Sequence, residues 1–309
     1  MKLLLVSLRN KSNHSYQNDK TMILVTGATG HLGTATIKSL LEKGIAANDI
    51  AALVRDENKG TGLKEKGVQI KLGDYTNYES LKNALQGVDK LLLVSSSDMS
   101  DRLIQHKNVI NAAKENGVKH IVYTGIDIKS FEATAIPYVS QIHIDTANYL
   151  KETGIPYTLL NDTLYADLIP LFSGEKVLQT GIFFPAGEGR TPFVARTEMA
   201  EAAAVVLSTP GHENQEYAIT GETAYSFGEI AGMLSEITGK DVKYHKPDKS
   251  IYIEQLVKAG VPKDNAAFFA GFGEAIKNGE FDTHRSDLEK LLGRKPAELK
   301  EFLKTIYGI

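Results

Sequence analysis

An α/β fold with a doubly wound parallel sheet is predicted for this chain from three observations. Short apolar runs alternate with amphipathic helical stretches through the first half of the sequence. Runs such as Met22–Thr26 and Lys90–Val94 are almost continuously apolar, which indicates strands covered by helices on both faces. The second half carries mostly helical patterns. We therefore expect a sheet domain over residues 22–160 and a smaller, mostly helical C-terminal lobe over residues 161–309.

The individual elements follow from the same periodicities. Six strands are predicted for the sheet, at Met22–Thr26, Ile50–Val54, Val68–Leu72, Lys90–Val94, His120–Tyr123 and Tyr157–Leu160. Helices between them are predicted at Leu32–Lys43, Ser80–Leu85, Arg102–Asn116 and Ile142–Thr153. The lobe is predicted to hold helices at Glu198–Leu207, Phe227–Thr238, Ile251–Ala259, Asn265–Lys277, Ser286–Leu292 and Ala297–Ile306, with short strands at Glu216–Ile219 and Val242–Tyr244.

Composition excludes several classes of function. The 35 basic and 38 acidic residues leave a net charge of −3, which gives no global attraction to nucleic acid or to an anionic membrane. The absence of cysteine excludes disulfides and thiolate catalysis, and the eight histidines lack metal-ligand spacing. No apolar run reaches the roughly 18–20 residues of a membrane span. We expect a cytoplasmic protein that acts on a small molecule and holds no metal, and we leave a homodimer open.

The first 21 residues are expected to stand apart from the fold. The segment MKLLLVSL resembles the start of a signal peptide, but its apolar run breaks off early and no small-residue cleavage site follows. A disordered leader, or an upstream start codon, explains this segment more simply. Met22 lies directly before the first strand and could be the native start.

The turn after the first strand carries the most informative motif. It reads Val25-Thr26-Gly27-Ala28-Thr29-Gly30-His31-Leu32-Gly33, with glycines spaced GxxGxxG. Gly27 permits a tight turn, Gly30 allows the backbone to approach a pyrophosphate, and Gly33 allows close packing of the next helix. Because a strand precedes it and an amphipathic helix follows, the motif predicts a Rossmann-type dinucleotide site. We expect Gly27, Ala28, Thr29, Gly30, His31, Leu32 and Gly33 to contact the cofactor.

The residue that closes the second strand indicates which dinucleotide binds. An acidic residue there would accept the ribose hydroxyls of NAD, whereas this chain has Arg55 followed by Asp56. A guanidinium at this position can pair with the 2′-phosphate of NADP. We therefore predict NADP(H). NAD(H) held by Asp56 is less favoured because Asp56 lies one position late, and a solvated surface arginine is the other interpretation of Arg55.

Further cofactor contacts are predicted after the third and fourth strands. Asp74 ends the third strand and could reach the adenine edge, although a turn-forming aspartate is nearly as good an interpretation. Ser95 and Ser97 follow the fourth strand, where small hydroxyl residues could line the middle of the cofactor. A polar loop after a buried strand is the structural alternative for both serines.

No standard catalytic pair is present. Short-chain reductases of alcohols and ketones use a Tyr with a Lys four residues later, but this chain reads Tyr138-Val139-Ser140-Gln141-Ile142 where that pair should fall. A Ser nucleophile motif is also missing. The polar candidates near the nicotinamide are His143, Asn161, Asp162 and Tyr165, of which His143, Asp162 and Tyr165 are the predicted catalytic groups. Structural roles remain open for each of them.

With these motifs in place, the chain resembles the NmrA-like atypical short-chain reductases. Within them it is most similar to the bacterial NADPH quinone oxidoreductases and triphenylmethane reductases. The resemblance rests on Gly27–Gly33, Arg55, Leu91–Ser97, Gln105–Lys114, Gly117–Ile121, Tyr157–Leu160 and Gly211–Asn214. It implies NADPH-dependent reduction of quinones or similar conjugated acceptors. It also implies cofactor contacts at Gly27–Leu32, Arg55, Ser97 and Asp162–Asp167.

Departures from the family pattern surround the expected pocket. Members usually have Arg-Asn where this chain has Asn161-Asp162, and Thr163-Leu164 replaces a pair that is aromatic or small. Asn148 stands where some members carry a Lys. The resemblance therefore does not fix the acceptor. A non-enzymatic NADP(H) sensor that binds a partner protein is the alternative hypothesis, and a carbonyl or sugar reductase or epimerase is disfavoured without the Tyr/Lys pair.

Overall fold

The computed structural model describes residues 21–96, 98, 100–174 and 176–308. The predicted leader falls outside these residues except for Thr21, and so does Ser97. No helix in the described part of the chain is both long and apolar enough to cross a membrane.

Strands in the described chain form one large sheet and two small ones. Their bounds are β1 Ile23–Val25, β2 Ile50–Val54, β3 Gln69–Leu72, β4 Lys90–Leu93, β5 His120–Ile126, β6 Tyr157–Asp162, β7 Ile182–Phe183, β8 Arg190–Thr191, β9 Gln215–Ile219, β10 Tyr225–Ser226 and β11 Tyr244–His245. The large sheet has seven parallel strands in the spatial order β3-β2-β1-β4-β5-β6-β9. The order reverses between β1 and β4, which is where doubly wound folds bind ligands. The predicted parallel α/β fold is confirmed.

Helices cover both faces of the sheet and form much of the C-terminal half. Their bounds are α1 His31–Glu42, α2 Thr61–Lys64, α3 Tyr78–Ala84, α4 Arg102–Glu115, α5 Pro137–Glu152, α6 Ile169–Ser173, α7 Val177–Thr180, α8 Arg196–Ser208, α9 Phe227–Thr238, α10 Lys249–Lys258, α11 Lys263–Lys277, α12 Leu288–Leu292 and α13 Leu299–Tyr307. Most predicted helices start or end within two residues of these bounds. α5 begins five residues before the predicted Ile142, because Pro137 occupies its first turn, where a missing N–H costs nothing.

Local sequence accounts for the best-predicted elements. All five residues of β2 are buried, which explains its uninterrupted apolar run. The side chain of Ser226 accepts a hydrogen bond from the Glu229 amide, and Glu229 reaches back to the Ser226 amide, so that a complete capping box starts α9. Gly239, at φ +68°, ends that helix in the left-handed conformation.

The second half of the chain does not fold apart from the sheet. β9 pairs with β6, and α8 packs against α1, so that residues 196–219 return to the region predicted to end at residue 160. A second apolar core packs helices α6, α7, α9, α10, α11 and α13 around the buried rings of Phe172, Phe184 and Phe227. This core begins with Ile126 on β5 and Leu164 just after β6. The carboxyl ends of β4, β5 and β6 therefore lie where the two cores meet.

Candidate cofactor and acceptor site

The glycine turn between β1 and α1 has the shape of a phosphate cradle. Gly27 takes a φ of +57°, and a Cβ on Gly33 would lie 2.3 Å from the Gly27 carbonyl oxygen. Gly30 is the N-cap of α1, and no side chain caps this helix. The first N–H groups of α1 are therefore left to bind a phosphate, assisted by the positive end of the helix dipole. The predicted residues of the motif thus fit a dinucleotide pyrophosphate.

Tyr75, which was not among the predicted site residues, supports this turn through hydrogen bonds. The Tyr75 hydroxyl lies within hydrogen-bond distance of Thr26 Oγ1 and, at 3.0 Å, of the Val94 carbonyl oxygen. The Val94 amide also donates to Thr26 Oγ1 at 2.9 Å. Tyr75 therefore links the segments that follow β1 and β4 at the reversal point of the sheet, through Thr26, which is next to Gly27 in the chain.

Arg55 follows the end of β2 and remains a predicted contact of the cofactor's phosphate. Arg55 is exposed, and no carboxylate of the described residues lies within 4.0 Å of it. Asp56 is engaged elsewhere, because its side chain accepts the Asn58 amide at 3.0 Å and caps a short 3₁₀ turn. Asp56 is thus a capping residue, while Arg55 presents its guanidinium to solvent beside the strand end. This arrangement fits a 2′-phosphate better than ribose hydroxyls.

Asp74 has mainly a turn-forming environment. Its Oδ1 accepts the amide and the hydroxyl of Thr76, each at 2.8 Å. Its own amide donates to the Ser80 hydroxyl. These contacts match the alternative interpretation of Asp74, and its contact with the adenine edge stays a prediction.

A buried polar cluster lies at the carboxyl ends of β4 and β5. We call it the strand-end cluster; its members are Ser95, Arg102, His106, Tyr123 and His143. The Nη2 atom of Arg102 donates to Ser95 Oγ at 2.7 Å, and the Tyr123 hydroxyl bonds His143 Nδ1 at 2.9 Å. Three of the members, His106, Tyr123 and His143, are buried. Only Ser95 and His143 had been predicted as site residues.

Both histidines of this cluster are neutral. The Nε2 atom of His106 accepts the Ser96 amide at 3.0 Å, so its proton sits on Nδ1, which bonds Thr146 Oγ1 at 2.9 Å. Burial lowers the pKa of His106 to about 3, and the nearby Arg102 charge lowers it further. Burial likewise holds the pKa of His143 well below its usual value. His143 reaches the site only through Tyr123, whose pKa burial raises to about 12.

Asn161, Asp162 and Tyr165 lie at the end of β6 and just beyond it. Asn161 packs against β5, where a Cβ on Gly125 would lie 2.6 Å from its Oδ1. Asp162 is 4% exposed, and its side chain has one hydrogen bond among the described residues, a long one of 3.5 Å from the Tyr165 hydroxyl. Burial raises the pKa of Asp162 well above its usual value, assisted by the Asp127 carboxylate. The raised pKa favours the protonated form of this carboxyl.

Neighbouring charges hold these residues in place. The Arg196 guanidinium lies 4.8 Å from the centre of the Tyr165 ring. The Asp127 amide donates to the Asp162 carbonyl at 2.9 Å, and the fully buried Asp127 carboxylate accepts Arg285 Nε at 2.9 Å. Burial raises the pKa of Tyr165, which keeps its hydroxyl protonated.

The structure thus divides the predicted site residues into two groups. The first group lies at or just beyond the carboxyl ends of β4 and β6 and consists of Ser95, Asn161, Asp162 and Tyr165. His143 lies behind them and contacts the Tyr123 hydroxyl. Arg55 and Asp74 lie apart, after β2 and β3, where the adenosine half of a dinucleotide lies in this class of fold.

Sequence reasoning missed Tyr75, Arg102, His106 and Tyr123. Position was the available signal, since Tyr75 follows a strand end and Arg102 begins the helix after β4. The residue pattern of α4 and β5 nevertheless predicts only structural roles for these side chains.

Comparison with known proteins agrees with this site. The chain matches the NmrA-like family over residues 19–304. It is 37% identical to quinone oxidoreductase 2 of Escherichia coli over 93% of this chain and 99% of that protein. The structure of the triphenylmethane reductase of Citrobacter sp. superposes with a TM-score of 0.86 at 38% identity, covering 93% of this chain and all of that one. The NADPH complex of an Escherichia coli NADPH-dependent quinone oxidoreductase also superposes with a TM-score of 0.86, at 35% identity and the same coverage.

The chain therefore belongs to the NmrA-like family. The glycine turn, Arg55 and these relatives together make it an NAD(P)H-dependent oxidoreductase whose cofactor is NADP(H).

Proposed function

We propose that this oxidoreductase reduces quinones and similar conjugated acceptors with NADPH. The observation that carries the proposal is the buried carboxyl of Asp162, which lies 3.5 Å from the Tyr165 hydroxyl at the strand ends where the nicotinamide lies in this fold. NADPH, when bound, supplies the hydride. The side chains then need to hold the acceptor, exclude water and provide one proton.

Proton balance gives Asp162 a defined role. Reduction of a quinone to a hydroquinone takes one hydride and one proton. Burial raises the pKa of Asp162 and so favours its protonated form, and the Tyr165 hydroxyl, 3.5 Å away, can relay a proton from it to the acceptor. The acid lies where members of the family usually have a different residue, so this role belongs to this chain.

The second apolar core contains aromatic rings of the kind that bind flat, conjugated acceptors. The second apolar core starts at the same strand ends and includes the partly exposed rings of Phe131, Phe268 and Phe269. Phe268 and Phe269 pack edge to face, with ring centres 5.9 Å apart. Aromatic rings of this kind bind planar apolar molecules by stacking and by excluding water. Quinones, nitroaromatics and dyes share this shape.

The test follows cofactor absorbance while a panel of quinones, nitroaromatics and triphenylmethane dyes is added to the purified protein with NADPH or NADH. Reactions without protein serve as controls, because some quinones oxidise NADPH directly. We expect protein-dependent oxidation of NADPH with quinones. Tight cofactor binding without turnover on any acceptor would refute the proposal and favour the NADP(H) sensor.

A variant pair isolates the acid. Asp162→Asn removes the ionisable proton but keeps the shape, and should lower quinone turnover roughly 100-fold, the lower end for loss of acid catalysis. Asp241→Asn, at an exposed acid before β11, is the matched control and should leave turnover unchanged. Equal turnover in both variants would mean that solvent, rather than Asp162, protonates the product. A cytoplasmic location and a homodimer stay predictions.

A further inference from the structure

Arg102 occupies an unusual position at the edge of the strand-end cluster. It is the first residue of α4 and is half-buried, and its Nη2 atom donates to Ser95 Oγ at 2.7 Å. Its Nε atom is buried and has no hydrogen-bond partner among the described residues. Part of the hydrogen-bonding capacity of this guanidinium is therefore unused by the protein itself.

The charge of Arg102 is also not neutralised. No carboxylate in the described chain lies within 4.0 Å of it. The nearby Asp98 is engaged by the Ser100 amide at 2.8 Å and by Gln105 Nε2 at 2.8 Å. Among the members of the strand-end cluster, Arg102 alone carries a permanent charge.

Several of the groups around this charge are buried, among them Tyr123 and His106. Burial lowers the pKa of Arg102, and its charge acts on the hydroxyls of Tyr123, Tyr138 and Tyr165. The cluster histidines are neutral for the reasons given above. An unpaired, partly buried charge is unfavourable unless another group completes its interactions. A site that retains such a charge is built to receive an electron-rich group.

We propose that Arg102 selects the acceptor by charge, binding neutral or anionic acceptors through an oxygen and disfavouring cationic dyes. This inference rests on the proposed reductase function. When a quinone gains a hydride at one position, negative charge develops on a carbonyl oxygen until a proton arrives. The N–H groups of Arg102 can donate to that oxygen. A cationic triarylmethyl dye loses its charge on gaining hydride, and before that it would place a second positive charge beside Arg102.

Three variants and three acceptors test the proposal. Arg102→Met removes the charge but keeps an apolar stem, Arg102→Lys keeps the charge without the planar fork, and Lys114→Met removes an exposed charge from the same helix far from the site. The acceptors are menadione, which is neutral, naphthoquinone sulfonate, which is anionic, and crystal violet, which is cationic. The ratio of kcat/KM for naphthoquinone sulfonate to that for crystal violet should fall about tenfold or more in Arg102→Met. It should change little in Lys114→Met and lie between the two in Arg102→Lys.

Binding without turnover provides the second measurement. Calorimetry with the NADP⁺-loaded protein should show naphthalene sulfonate bound about tenfold more weakly by Arg102→Met, whereas uncharged naphthyl methanol should bind both proteins alike. An unchanged ratio of affinities would overturn the inference, and so would a loss of NADPH affinity that accounts for the whole effect. If the wild type fails to reduce any quinone, the proposed function fails, while sulfonate binding still decides the role of Arg102.

Discussion

Strands β4, β5 and β6 carry a buried polar cluster at each end, and the two clusters use their polar groups differently. At the amino ends, Lys90 Nζ donates to the Leu207 carbonyl at 2.8 Å, and His120 Nε2 bonds Thr158 Oγ1 at 2.8 Å. Thr158 in turn donates to the His212 carbonyl at 2.6 Å. We call these residues the amino-end cluster. Lys90 and Thr158 donate hydrogen bonds to backbone carbonyls, and these bonds link β4 and β6 to the end of α8 and the segment before β9.

The strand-end cluster at the opposite edge leaves its strongest groups incomplete. Among the residues that the structure describes, Arg102 lacks a counter-ion, and Asp162, which lies outside this cluster at the end of β6, has a single long hydrogen bond. Both clusters contain buried neutral histidines, so burial alone does not distinguish a site from a structural contact. Each cluster leaves one buried nitrogen without a partner among the described residues, His120 Nδ1 and Arg102 Nε, so the difference lies in the cations: Lys90 donates to a backbone carbonyl, whereas Arg102 donates to a single serine hydroxyl. We therefore expect the amino-end cluster to serve stability and the strand-end cluster to serve recognition.

The largest expected effect is at the glycine turn. Gly33→Ala places a Cβ 2.3 Å from the Gly27 carbonyl oxygen, so the cradle must shift. Overpacking of about 1–3 kcal/mol predicts roughly 5- to 150-fold weaker binding of both NADPH and NADH, measured by calorimetry. Gly232→Ala is the matched control, because Gly232 lies on the exposed face of α9 and a Cβ there would have no neighbouring atom within 4 Å. It should leave binding unchanged and stabilise the fold by about 0.5–1 kcal/mol. Normal NADPH affinity in Gly33→Ala would contradict the cradle.

A more selective effect, confined to NADPH, is expected at the adenosine end of the cofactor. Arg55→Glu should weaken NADPH about 10- to 150-fold, because a charge-assisted hydrogen bond contributes roughly 1.5–3 kcal/mol, and should change NADH little. Lys66→Glu makes the same change of charge at an exposed position and is the control. Affinities for both cofactors, measured side by side, decide the matter. Equal losses for NADPH and NADH would refute the phosphate contact of Arg55.

The third prediction compares the two clusters through pH. Burial lowers the pKa of His106 to about 3 and that of His120 to about 4, from 6.5. Below pH 6.5 the unfolded chain binds protons that the folded chain does not, so the free energy of unfolding falls as pH decreases. His106→Asn and His120→Asn should each flatten this dependence by about 1.4 kcal/mol per pH unit, measured by urea unfolding between about pH 4.5 and pH 6.

Activity then separates the two histidines. His106 supports the backbone next to Ser95, so His106→Asn should also lower reductase turnover. His120→Asn should not, because His120 lies at the far end of the strands. Equal losses of turnover in the two variants would end the distinction between the clusters.

Sequence alone predicted the elements whose cause is local. β2 has the predicted bounds because five consecutive apolar residues fill a buried strand, and α9 does because Ser226, Glu229 and Gly239 mark its ends. The cofactor turn was equally predictable, since its glycines are needed within a few residues of one another. These features depend on interactions over short sequence distances.

Features that depend on distant residues were not predictable. The Ser96–His106–Thr146 chain joins residues up to 50 positions apart, and nothing in the pattern of α4 distinguishes His106 from a surface residue. The return of β9 to the sheet likewise depends on pairing with β6, some 55 residues earlier. The raised pKa of Asp162 follows from its burial by parts of the chain that its neighbours in sequence do not reveal.

Asp127 connects the late part of the chain to this chemistry. Its buried carboxylate is held by Arg285 and Thr283, and its amide holds the backbone of Asp162. A form of the protein shortened before residue 283 would leave that carboxylate unpaired next to the proton-holding acid. A smaller reductase engineered by shortening the chain from its C-terminal end should therefore keep every residue up to and including Arg285, although Arg285 lies far along the chain from the glycine turn.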